Sequence, residues 1–187
     1  MTTLQEAVDP EDLAVAARWF GGVDPVWRDG EWLCNDADTN GIVISAESGA
    51  VSVFFDVHQG KREAGPDVVC TAPQDALRFV LFRSGVKMRQ RYLYPRLLVP
   101  FSPSLARPGF TVSPGDGVGA SVTVDRAEGP ETDRRLEFKL AGRATESTFY
   151  LGAAVEDLVE SIRVPSGAPL FTDVQRVQAT SPERARP

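Results

Sequence analysis

The chain has 187 residues, 42% hydrophobic and 25% charged, which suits one soluble domain large enough to bury a core of its own. It has no apolar run of the roughly 18–20 residues that span a bilayer, and Met1 to Asp9 has neither the basic nor the apolar region of a secretory signal, so a cytoplasmic protein without membrane contact is expected. With 20 basic and 26 acidic residues the net charge is −6, an unfavourable field for a polyanion, and nucleic acid is not expected as a partner.

The first helix is marked by Asp9 as a cap, Pro10 at its first position, and Glu11 and Asp12 on the positive end of its dipole. Leu13, Ala16, Ala17 and Phe20 recur at helical spacing, and Gly21-Gly22 stops it. A β region follows. Val26 to Arg28 and Glu31 to Cys34 flank Asp29-Gly30, and Gly41 to Ser45 and Ala50 to Val57 flank Ser48-Gly49, two hairpin signals. Asp67 to Cys70 reads as a short strand after the polar turn from Gln59 to Pro66.

Thr71-Ala-Pro-Gln74 has the form of a capping box for a central helix, in which Leu77, Val80 and Leu81 belong to the core and which Gly85 ends or kinks. Arg96 to Phe101 reads as extended, and Pro100, Pro103, Pro108 and Pro114 make the following chain irregular. Strands are expected at Phe110 to Val112, Ala120 to Val124 and Arg134 to Leu140, and a last helix over Thr145 to Arg163. The fold class is α+β: a single domain over 1–171, mostly antiparallel β-sheet with about three helices packed on it, and a polar, flexible tail over 172–187.

Charge is segregated along the chain. Ala76 to Gly115 holds Arg78, Arg83, Lys87, Arg89, Arg91, Arg96 and Arg107, and none of the 26 acidic residues. Its first part bounds the central helix, where arginines serve the fold. Lys87 to Arg107 is the more exposed part, and there an acidic protein partner is expected.

Three motifs bear on chemistry. Asp36-Ala-Asp38-Thr-Asn40-Gly41 through Glu47 satisfies the short EF-hand pattern, with Asp36, Asp38, Asn40, the Ile42 carbonyl and Glu47 as calcium oxygens. Strands rather than helices flank it, so an Asp/Asn/Gly turn is the first reading, and a calcium- or small-ligand-binding module the alternative. His58 is the only histidine, and no Gly-x-Ser-x-Gly elbow or cysteine–histidine metal set occurs, so neither catalytic residues nor cofactors are expected. Carboxylates such as Glu156 and Asp157, or Glu131 and Asp133, read as surface charge. Cys34 and Cys70 read as buried thiols in a reducing compartment. Ser113-Pro-Gly115-Asp116-Gly117-Val118-Gly119 is glycine-rich but leads into a strand, unlike a phosphate-binding loop, and reads as an exposed hairpin loop of the kind that carries partner contacts.

Two blocks carry a resemblance. The first runs from Asp75-Ala-Leu-Arg-Phe-Val-Leu-Phe-Arg-Ser-Gly85 to Arg89 and Tyr94-Pro-Arg-Leu97. The second is Val155-Glu-Asp-Leu-Val-Glu-Ser161-Ile with Pro165-Ser-Gly167-Ala-Pro-Leu-Phe171. Together they resemble the bacterial Imm61 immunity proteins, the group that includes the antitoxin of the tuberculosis necrotizing toxin. The resemblance implies a cytosolic, non-enzymatic protein that binds a cognate secreted toxin as a 1:1 heterodimer. The toxin it implies is an NAD glycohydrolase, inhibited by occlusion of its substrate cleft. From exposure and charge rather than from the resemblance, the expected contact residues are Arg89, Arg91 and Arg96 with the loop Gly115, Asp116, Gly117, Val118 and Gly119.

Overall fold

A computed structural model describes residues 4–38, 40–58, 62, 65–115, 117–124 and 134–172. In chain order the elements are α1 (Leu4–Ala7), α2 (Pro10–Phe20), β1 (Gly22–Arg28), β2 (Glu31–Asp36), β3 (Asn40–Glu47), β4 (Ala50–His58), β5 (Val68–Cys70) and α3 (Pro73–Arg91). A 3-10 turn at Pro103–Leu105 precedes β6 (Phe110–Pro114), β7 (Ala120–Val124), β8 (Arg135–Phe138), α4 (Ala141–Ser147) and α5 (Val155–Arg163). The strands form one antiparallel sheet in the order β1-β2-β3-β4-β5-β8-β7-β6. The α+β class is therefore as expected. The tail beyond Thr172, Asp116, Glu131 and Asp133 lie outside the described residues.

The local signals at the N-terminal half act as read. Asp9 accepts from Glu11 N–H at 2.8 Å, Pro10 opens α2, and Gly21 closes it at φ 89°. Asp29-Gly30 and Ser48-Gly49 all take positive φ, the twist-matching conformation of two-residue hairpins. Strand alternation then sorts residues by face. Trp32 pairs with Ile44, Ile44 with Val53, Val53 with Val68 and Val68 with Phe138. Cys70 pairs with Leu136, and Leu136 with Val122. All of these are buried, which makes one face of the sheet a continuous apolar floor. On the other face the row Ser45, Ser52, Val69, Glu137, Ser121 and Ser113 runs across six strands, and none of the six is buried.

The helices cover the apolar floor. Leu77, Val80 and Leu81 of α3 are at most 1% exposed, as expected of the core. Phe82 stacks on Tyr150 with ring centroids 4.5 Å apart, and Phe20 meets Phe55 edge-on at 5.3 Å. Gly85 neither ends nor kinks α3, which continues to Arg91. Its missing side chain instead lets α5 approach: a Cβ there would lie 2.5 Å from Ile162 Cγ2. The capping box is also corrected. Ala72 is the cap residue of α3 and makes no side-chain bond, while Gln74 donates to the Ala7 carbonyl at 2.9 Å.

Arg96 to Phe101 joins no ladder, since Pro95, Pro100 and Pro103 remove ladder donors around it. One further expectation fails for an identifiable reason. The last helix is two, α4 and α5. Ser147 and Thr148 turn their hydroxyls back on the Ala144 and Thr145 carbonyls, at 2.7 and 2.8 Å. The next three residues, Phe149, Tyr150 and Leu151, are all buried, which a continuing surface helix with one apolar stripe cannot achieve.

Candidate functional site

Helices α2, α3 and α5 run in one direction. At one end Gln74 of α3 reaches Ala7, and Asp12 and Glu156, in the first turns of α2 and α5, line one groove. At the other end Arg91 donates to the Phe20 carbonyl at 3.2 Å, and Arg89 to the Ile162 and Val164 carbonyls at 2.9 and 2.6 Å. The negative dipole ends of α2 and α5 thus meet the arginine-bearing last turn of α3.

That arrangement decides what the acid-free stretch does. Arg89 is 2% exposed, and it also donates to the Pro95 and Pro165 carbonyls, both at 2.7 Å. Burial lowers its pKa, opposed by the neighbouring Tyr94. The expectation that Arg89 lies on a partner-facing surface is therefore corrected: its donors are spent on the ends of α5 and of the segment after α3. Arg78 pairs with Asp75 and donates to the Ala153 carbonyl, Lys87 pairs with Asp56, and Arg107 donates to the Leu170 carbonyl. Arg91 is exposed although tied to Phe20. Arg96 is exposed and has no side-chain partner among the described residues. Of the three arginines expected at a contact surface, Arg91 and Arg96 are available for one.

The glycine-rich loop joins β6 to β7. Gly115 N–H donates to the Gly119 carbonyl at 3.0 Å, Gly117 has φ 67°, and Val118 is 71% exposed. This loop does not stand alone. The Val118 carbonyl accepts from Ala141 N–H at 2.9 Å, so it abuts Leu140 and the start of α4. Phe101 lies against the same turn of α4, where a Cβ on Gly142 would be 2.9 Å from its Cδ1, and the Arg143 guanidinium sits 5.8 Å from its ring centroid. Exposure is 55% for Phe101, 54% for Leu105 and 49% for Leu140. Phe101, Leu105 (in the 3-10 turn that packs on α4), Val118 and Leu140 are thus exposed apolar side chains gathered about the start of α4. Single-segment reading misses this patch, since its members come from three separate loops.

Tyr92 and Leu93 add to the apolar surface at the end of α3. Tyr94 N–H donates to the Arg89 carbonyl and Leu93 N–H to that of Gln90, which places Leu93 at the left-handed position of a Schellman cap with φ 56°. Glycine is the ordinary residue there, yet this leucine is 90% exposed. Leu93→Gly is expected to raise stability by about 0.5–1 kcal/mol in urea denaturation, since relief of the left-handed strain exceeds the added chain entropy. A loss of stability would mean that Leu93 packs in a way that offsets its strain.

The remaining sequence candidates are not assembled into chemistry. Asp36 Oδ1 accepts from Asp38 N–H at 3.0 Å and Asn40 N–H at 2.9 Å, a closed Asp turn, and Glu47 lies at the far end of β3. At about 3.3 Å per residue along that strand, Asp36 and Glu47 cannot share an ion. Among the described residues no group of three metal-ligating side chains converges. His58 is exposed, 3.4 Å from Asn40 Oδ1. Cys34 and Cys70 are buried free thiols, and burial pushes Cys34 up to about 11. An open groove of about 470 Å³ between α2 and α5 is lined by Asp12, Val15, Glu156, Val159, Glu160, Arg163 and Val164. Burial raises the Asp12 carboxyl, reinforced by Asp9, Glu156 and Glu11. Among the described residues no helix is long and apolar enough to cross a membrane.

Comparison with known proteins adds two findings. The model of the family described as Immunity protein 61 matches residues 25–170, from β1 to the segment after α5. Among solved structures, Rv3902c from M. tuberculosis superposes with a TM-score of 0.72 at 16% identity, covering 89% of this chain and 94% of that one, which shows a shared fold. No curated protein matches by sequence.

Proposed function

This chain belongs to the Immunity protein 61 family, and from that premise we propose that it is a non-enzymatic inhibitor that binds a cognate toxin in the cytoplasm of the producing cell. We further propose that the toxin is an NAD glycohydrolase, held in a 1:1 complex with its substrate cleft occluded. The observation that carries the reading is the extent of the family match, which runs from within β1 through β8 and α3 to α5 rather than resting on one motif. The surface is consistent with it. The cations of the acid-free stretch are largely spent on the fold, and what remains outward is a loop, Gly115, Gly117, Val118 and Gly119, with Arg91 and Arg96 as accessible charges. Interfaces of this kind take affinity from buried apolar anchors and association rate from flanking charge.

Co-expression tests the proposal. The reading places the gene of that toxin beside the gene of this chain; bacteria producing its NAD glycohydrolase domain are expected to lose their NAD and stop growing, and to retain both when the chain is co-expressed. Continued NAD loss with the soluble chain present would refute it.

A further inference from the structure

We infer that the apolar patch of Phe101, Leu105, Val118 and Leu140 is the anchor with which this chain enters the cleft of its toxin, and that the cleft is apolar within and acidic at its rim. The inference rests on the toxin-inhibitor reading and names the surface that reading leaves open.

The first support is placement. Among the described residues eight large apolar side chains are conspicuously exposed, and four of them lie about the start of α4: Val118 and Leu140 through the Ala141–Val118 hydrogen bond, Phe101 through its contact with Gly142, and Leu105 in the 3-10 turn that packs on α4. These contacts hold Val118, Leu140 and Phe101 at the start of α4, while about half or more of each of the four side chains stays in water. A preordered, projecting apolar group of this kind loses little conformational freedom on docking.

The second is charge. Lys139, exposed, adjoins Leu140, and Arg143 lies over the Phe101 ring. Glu146 beneath Arg143 is 4% exposed and bonded to it at 2.7 and 2.9 Å, so the carboxylate faces inward while the guanidinium faces the patch. Phe101 and Leu105 lie in the stretch that contains no acidic residue. With the Arg143 charge offset by Glu146 behind it, the outward guanidinium and the Lys139 ammonium still put cationic groups beside an apolar tip, which selects against a second copy of the same tip and favours an acidic rim.

The test measures binding of the purified toxin domain encoded beside this chain to four forms of it: wild type, Phe101→Asp with Leu140→Asp, Val118→Asp, and Val26→Asp. Val26 is 45% exposed on the edge strand at the opposite side of the sheet and serves as the control. The double variant is expected to weaken binding about 100-fold and Val118→Asp about 10-fold, with Val26→Asp unchanged. Circular dichroism and denaturation midpoints establish that each is folded, and Val118→Asp, on an exposed loop, keeps the test open if the double variant is not. Tight binding by wild type with equally tight binding by folded tip variants would overturn the inference and leave the inhibitor reading standing. No binding or inhibition by wild type would remove the reading and the inference with it. A wild-type dimer in sedimentation that the tip substitutions dissolve would assign the patch to a second copy of the chain and overturn the inference as well.

Discussion

Arg89→Met is expected to destabilise the fold by about 3–5 kcal/mol, measured as a lowered urea midpoint at unchanged slope. The methionine keeps much of the aliphatic volume, so packing is not the main loss. What disappears is a fork of donors to four carbonyls, those of Pro95, Ile162, Val164 and Pro165. Ile162 and Val164 lie at the end of α5, whose last carbonyls have no partners of their own within the helix. Removing the guanidinium leaves the Pro95, Ile162 and Pro165 carbonyls without it in a site that is 2% exposed at Arg89 itself, while the Val164 carbonyl keeps Gly167 N–H at 3.1 Å. Each such orphaned group costs about 1–3 kcal/mol. Arg89→Lys is expected to recover only a fraction, because one ammonium cannot span carbonyls from two chain segments. A loss below about 1 kcal/mol for Arg89→Met would show that these carbonyls find other donors.

Asp75→Ala is expected to cost a similar amount, about 3–5 kcal/mol. Asp75 stands in the first turn of α3 and is fully buried. Its carboxylate accepts from Arg134 Nη2 and Nε, and Arg78 Nη1 lies 3.5 Å away. It also faces the positive end of the α3 dipole. The alanine variant leaves two guanidinium groups facing each other across an uncharged gap. Arg134, immediately before β8, ties this helix start to the sheet, so Arg134→Ala should show strong coupling to Asp75→Ala in a double-mutant cycle. Additive effects would mean that the two residues act independently.

These two residues also show what could be read from the sequence. The cap at Asp9, both hairpins, the short β5 and the core stripe of α3 were legible, because each depends on residues within a few positions of one another. The limits of α3 and the break between α4 and α5 were not, because they depend on Ile162 filling the space at Gly85 and on three consecutive side chains finding buried sites. Arg89 looked like surface charge for the same reason. Three of its acceptors lie 73 to 76 residues away, on an element whose parallel course beside α3 no local pattern announces. The acid-free stretch was visible at once, but its main cause was not. Much of it is a set of cations assigned to helix ends and carbonyls, with Arg91 and Arg96 left outward. The loop around Val118 was legible as exposed, whereas Phe101, Leu105 and Leu140 became a surface only when the chain placed three loops together.

The most direct test of the central claim is a titration of the toxin domain encoded beside this chain, followed by its rate of NAD hydrolysis. Inhibition is expected to rise linearly and to be complete at one equivalent of this chain, and the tip variant Phe101→Asp with Leu140→Asp is expected to need a higher concentration for the same inhibition, in line with binding weakened about 100-fold. Undiminished hydrolysis in the presence of excess folded chain would contradict the account.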